Sequence, residues 1–276
     1  MVKNIIFSGG ALKGWGYIGT IRALKELIPF KDIENVAGVS VGSLFAFFYV
    51  LQIDYSILLD IFINLNINDY LDINLNDIMK SQSILKGNNF KECITGIISL
   101  KIDPNITFKD LYKYTRVIFT VCCLNVSKSD IEYFNYYNSP DVKVIDTLIA
   151  SCSLPLVFSL QKINGNYYCD GGLCNNCPQN LYEELDTVAF DLEIEEEESI
   201  ENKELFFIDI INCMVNLANK VYNVKYENKI RVLSKEYSNQ IYNFNQTKDD
   251  IFNIYMNGYN NCKRELYNKF IALPSY

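Results

Sequence analysis

A serine flanked by glycines, in Gly38-Val39-Ser40-Val41-Gly42, stands in a chain of 276 residues that contains no histidine. A serine on a sharp strand-to-helix turn is the usual way a hydrolase presents an attacking hydroxyl. Its usual base is a histidine steadied by a carboxylate, and composition excludes that triad here. Two readings stay open: the pentapeptide is a chance match, or a carboxylate activates the serine directly. The flanking sequence favours the second, because Val36–Val39 reads as an apolar strand and Gly42–Leu51 as an apolar helix. Gly38 and Gly42 let the backbone turn without side-chain clash. The helix N-terminus places positive partial charge where an oxyanion would form. Ser43 is the second choice of nucleophile, since it sits inside the helix without glycines on both sides.

Two further glycine-bearing turns follow strand-like segments, where open α/β sheets place their sites. The first, Gly9-Gly10-Ala11-Leu12-Lys13-Gly14, lacks the ending of a P-loop and the spacing of a dinucleotide fingerprint. Beside a serine nucleophile it suits an oxyanion hole, in which backbone N–H groups converge on a developing alkoxide. Gly9, Gly10, Ala11 and Val41 are the expected donors. The second, Asp170-Gly171-Gly172, is by itself an ordinary turn. In a chain without histidine it is the natural source of a base.

These turns need a scaffold. Strand and helix alternate from Asn4: a strand to Phe7, a helix with Ile18, Ile21, Leu24 and Leu27 on one stripe, closed by Pro29, then the elbow. That order predicts an α/β fold with a mostly parallel sheet and helices on its faces. Residues 64–115 read as a helical insertion. Strands are expected at Arg116–Leu124, Ile131–Phe134, Tyr167–Cys169 and Thr187–Leu192, the last closing the sheet, with a helix at Val142–Cys152. An acidic run from Glu193 to Glu201 reads as a solvated connection, with a lid as the sharper alternative. Helical periods at Glu204–Val224 and Asp249–Phe270 predict C-terminal helices packed on the same domain, so that 1–192 is the catalytic part and 193–276 its appendage.

Composition narrows the partners. The formal charge of −8 argues against nucleic acid and against purely electrostatic docking on anionic lipid. Lys220, Lys225, Lys229 and Arg231 form a basic cluster, read as a solvated face rather than a membrane contact. Leu44–Leu65 is long and apolar but contains Gln52, Asp54 and Asp60, which suits a buried helix and not a membrane span. Met1–Phe7 runs straight into a strand-like segment, so no signal peptide is expected there. The nine cysteines cannot all pair within the chain, and reduced thiols in an intracellular setting are expected. Cys174 and Cys177 form a C-x-x-C, but a zinc site would need two more thiolates. Cys122, Cys123, Cys152 and Cys169 read as small buried apolar residues.

Taken in order, the glycine-rich loop with Lys13 and Gly14, the elbow with Gly38 and Gly42, and Asp170 with Gly171 and Gly172 resemble the patatin-like phospholipases. Gly16–Gly19, Ala150–Phe158 and Leu173–Pro178 are similar to further segments of that family, and the resemblance covers residues 4 to about 190. It implies a three-layer α/β/α fold and a Ser–Asp dyad, with Ser40 as nucleophile and Asp170 as base and later acid. It also implies hydrolysis of phospholipid or related glycerolipid esters at a membrane or micelle surface. No cofactor or metal is expected, and the oligomeric state is not readable. The family commonly has a third glycine at the position of Ala11, and alanine resists a positive φ. A catalytically weak lipid-binding or partner-binding relative is therefore the alternative.

Overall fold

Strand β1 (Asn4–Phe7) is buried along its whole length, as a central parallel strand must be, and the sheet extends outward from it. The computed structural model describes residues 1–65, 83, 85, 87–192, 213, 217, 227–238 and 246–272. Its strands are β1, β2 (Asn35–Val39), β3 (Ile118–Asn125), β4 (Asp130–Phe134), β5 (Gln161–Ile163), β6 (Asn166–Asp170), β7 (Thr187–Asp191) and β8 (Lys229–Arg231). They form one 8-stranded sheet in the order β5-β6-β3-β2-β1-β7-β8, with β4 also paired to β3. The run from β3 to β8 is parallel, while β4 and β6 lie antiparallel to β3, and β5 lies antiparallel to β6. The fold is mixed α/β, with a mostly parallel central sheet flanked by helices.

The helices that matter for the site are α1 (Gly16–Leu27) and α2 (Val41–Val50), which follow the first two strands, and α3 (Tyr55–Asn64). Beyond them lie α4 (Asn88–Ser99), α5 (Phe108–Thr115), α6 (Val144–Ser151) and α7 (Lys248–Leu266). Alternation along the strands sorts the core. Ile5, Phe7, Val36, Phe119, Val121, Val188 and Phe190 face the helices. Ile6, Ala37 and Ala189 face the other way, onto Cys177, Leu181 and Tyr182. Helix α2 is buried at every position from Gly42 to Val50, which accounts for a sequence that is apolar all round. The apolar run 44–65 breaks at Leu51–Asp54, where Asp54 caps α3 by accepting the Ser56 N–H. Among the described residues no helix is long and apolar enough to cross a membrane.

One topological detail builds the site. Along one edge of β3, residues 118–122 pair with β2, and residues 123–125 pair with β6. Strand β4 occupies the opposite edge. Because β2 runs with β3 and β6 against it, their C-terminal ends meet head to head, Val39 opposite Cys122 and Asp170 opposite Cys123.

Several boundaries differ from the sequence reading. Strand β3 begins at Ile118, because Arg116 adopts a left-handed conformation (φ 62°) that caps α5. Thr187–Asp191 does not close the sheet: β8 lies beyond it. A three-residue strand, Lys229-Ile230-Arg231, is too short to show alternation. Its Lys229 is ion-paired to the buried Asp191, which corrects the reading of Lys229 as part of a solvated face. The acidic run, most of the 204–224 segment, Lys220 and Lys225 lie outside the described residues. So do residues 66–82 of the insertion.

Candidate active site

Ser40 sits between β2 and α2 with φ 52° and ψ −134°, a strained conformation for a non-glycine residue. Its surroundings hold it there. The Ser40 N–H donates to Ser151 Oγ at 2.8 Å, and Ser151 Oγ donates to the Cys122 carbonyl at 2.7 Å. The glycines are required by close approach. A Cβ on Gly38 would stand 2.5 Å from the Ser43 Cα, and one on Gly42 would strike the carbonyl oxygens of Phe7 and Ser8. Ser43 is buried and donates to the Ser40 carbonyl at 2.6 Å, so its hydroxyl is used within the turn.

Asp170 ends β6 opposite Cys123. Its Oδ2 accepts the Ser40 hydroxyl at 2.7 Å, and its Oδ1 accepts the Gly172 N–H at 2.7 Å. The carboxyl is buried, and burial pushes its pKa up to about 6 although both hydrogen bonds pull it down. The same surroundings hold the Cys122, Cys123 and Cys152 thiols in their neutral form, and burial lifts Cys169 to about 12. A carboxylate that titrates near 6 is ionised at neutral pH, yet more basic than an ordinary aspartate. It touches a hydroxyl at hydrogen-bond distance, the geometry needed for proton transfer. Gly171 keeps this end of β6 against β3, since a Cβ there would stand 2.5 Å from the Cys122 carbonyl oxygen.

The glycine-rich loop lies on the other side of Ser40, and a Cβ on Gly9 would be 3.2 Å from the Ser40 Cβ. Gly9 donates its N–H to the Asn176 carbonyl at 3.0 Å. That removes Gly9 from the expected donor set, and its role is close packing. Ala11 opens a 3-10 turn, Ala11–Trp15, at φ 46°. Gly10, Ala11 and Val41 stand at or just before the first position of a helical turn, where N–H groups have no intrahelical acceptor. Lys13 is buried, not the surface residue that is the ordinary expectation for lysine.

A family model for patatin-like phospholipases matches residues 5–181. The chain belongs to the patatin-like phospholipase family. A probable lipid hydrolase, 463L, of Invertebrate iridescent virus 6 is 33% identical over 186 residues, covering 65% of this chain and 62% of the viral protein. The match therefore spans less than two thirds of that relative's length. Among solved structures, VipD from Legionella pneumophila superposes with a TM-score of 0.63 at 15% identity, over 97% of this chain and 67% of VipD. The type III effector ExoU of Pseudomonas aeruginosa gives 0.54 at 14% identity, over 98% of this chain and 54% of the other. At these identities the structural likeness is one of fold.

Within this patatin-like chain, three site residues escape the sequence reading. Ser151 holds the Ser40 backbone. Asn176 holds Gly9 through its carbonyl, and its side-chain amide donates to the Gly9 carbonyl at 3.3 Å. Tyr17 donates to the Ser8 carbonyl at 2.8 Å, beneath the loop. All three lie in the segments Ala150–Phe158, Leu173–Pro178 and Gly16–Gly19 that resemble the family, and that resemblance is the signal available for them. Cys174 and Cys177 are not joined in a disulfide, and no group of three or more potential metal ligands occurs among the described residues.

Proposed function

We propose that this chain is a lipid acyl hydrolase of the phospholipase A type, acting through a Ser40–Asp170 dyad. The observation that carries the proposal is the 2.7 Å hydrogen bond from Ser40 Oγ to Asp170 Oδ2 in a chain without histidine. Asp170 accepts the serine proton as Oγ bonds to the ester carbonyl carbon. The N–H groups of Gly10, Ala11 and Val41 receive the oxyanion, each such donor being worth about 2.7–4 kcal/mol of barrier. Asp170 then returns the proton to the departing alcohol, leaving an acyl group on Ser40. Water, deprotonated by the same carboxylate, then attacks the acyl carbon, and Asp170 returns that proton to Ser40 Oγ as the acyl–oxygen bond breaks and the fatty acid leaves. Membership of the patatin-like phospholipase family supports phospholipid or a related glycerolipid as the substrate class.

Ser40→Ala tests the reading, because it removes one hydroxyl and no packing. The expected result is loss of fatty-acid release from every lipid class in a panel, with an unchanged circular dichroism spectrum. Wild-type protein should react with a fluorophosphonate probe, and the variant should not. Near-wild-type turnover by folded Ser40→Ala would move the nucleophile elsewhere.

A further inference from the structure

Residues 154–160, Leu-Pro-Leu-Val-Phe-Ser-Leu, begin and end at the candidate site. At the near end, Ser151 holds the Ser40 N–H, and the Ser153 carbonyl accepts the Asp170 N–H at 3.0 Å. At the far end, Leu160 leads into β5, whose Gln161 pairs with Tyr168, two residues before Asp170. Between these anchors the chain turns outward. Leu156 adopts φ 70°, a rare conformation for leucine. Leu156 and Leu160 are each 43% exposed. The turn is braced from behind and does not hang free. Val157 and Phe158 donate to the Leu154 carbonyl at 3.2 and 2.8 Å, and the Leu85 N–H donates to the Val157 carbonyl at 2.8 Å. The Phe158 ring packs on Phe90 at 5.7 Å. A rigid turn that spends backbone strain to hold a leucine in solvent, beside a serine–carboxylate pair, is built to meet something apolar.

From these anchors and the chain's charge we infer that residues 154–160 form a lip that inserts into a zwitterionic lipid surface and brings Ser40 to the ester. This rests on the lipid-hydrolase reading given above. Charge selects the occupant. A chain of net charge −8 is repelled by an anionic bilayer, so apolar insertion must supply the binding. Leucine side chains leaving water do so without regard to headgroup charge.

The test is sedimentation with phosphatidylcholine vesicles, using the Ser40→Ala chain so that the vesicles stay intact. Leu156→Asn replaces an apolar side chain by one that accepts a left-handed backbone, so the fold is kept. It should lower the partition coefficient at least about tenfold, and Leu160→Asn should do the same. Leu185→Asn is the control. That leucine is 83% exposed but lies two residues before β7, at the opposite end of the sheet, and its replacement should leave binding unchanged. Absence of binding to phosphatidylcholine, equal binding by the lip variants, or an equal loss with Leu185→Asn would overturn the inference. So would binding confined to phosphatidylglycerol vesicles and abolished by 1 M salt, about the level that reduces the screening length to 3 Å. Hydrolysis of a short, soluble ester by the wild-type chain reports separately on the dyad, so the two readings can fail independently.

Discussion

Under the proposed mechanism Asp170 does the work of the histidine in the usual triad, and its burial sets its properties. The folded carboxyl titrates at about 6 against the 3.8 of an ordinary aspartate, so between these values the folded state holds a proton that the unfolded chain has released. This group's contribution to stability, about 3 kcal/mol, is therefore fully present below about pH 4 and is lost as pH rises through about 6. Asp170→Asn lacks that titration. It should be inactive, yet in urea it should gain stability relative to wild type between pH 4 and pH 8. A midpoint difference that is constant with pH would show that burial does not govern this carboxyl. In wild type, kcat/KM should rise through about pH 6 as the base ionises, and then level off. Ala11 is the other residue under tension. At φ 46° it holds a conformation that glycine adopts freely, and Ala11→Gly should raise thermal stability by about 1 kcal/mol. Ala11→Val, branched at Cβ, should lower both stability and kcat, which thermal melts and initial rates would report. The glycine context of Ser40, Asp170 and Ala11 is legible in the sequence because tight turns demand particular residues. Ser151 is not, because a buried serine takes on meaning only when the backbone it faces is known.

At the level of elements, the decisive feature is the shared edge of β3. The sequence marks β1, β2, β3 and α2 clearly, since buried parallel strands and an all-apolar helix leave continuous hydrophobic runs. It does not reveal that β6 continues the line of β2, because strand order depends on pairing across 130 residues of chain. It misses β5 and β8, each of three residues, for want of length. The glycine that fixes the seam makes a sharp prediction. In Gly171→Ala the new Cβ would meet the Cys122 carbonyl oxygen at 2.5 Å, so the end of β6 must move away from β3 and carry Asp170 with it. A displacement near 1 Å can cost about 100-fold in rate. Ester hydrolysis should fall by that order, with far-ultraviolet circular dichroism retained. Full activity would mean that the seam yields elsewhere.

For the molecule as a whole, helix α7 is bound to α1 at backbone distance. A Cβ on Gly19 would strike the backbone of Tyr255 and Tyr259, and one on Gly258 would strike the Gly16 carbonyl. Across the contact, Glu26 accepts from Tyr259 at 2.8 Å and from Lys263 at 2.7 Å. Gly258→Ala should thus lower the unfolding free energy by about 3 kcal/mol, measured by urea titration, although the residue is remote in sequence from the dyad. The amphipathic period of this helix is legible; the glycine contact that seats it is not, since a lone glycine inside a helix shows no partner in sequence. The separation of 130 positions between Ser40 and Asp170 also has a meaning in time. A ribosome adding about 5–20 residues per second takes on the order of ten seconds to cover that interval. Under the proposed mechanism the serine is synthesised long before its base, so the growing chain cannot hydrolyse an ester during that interval.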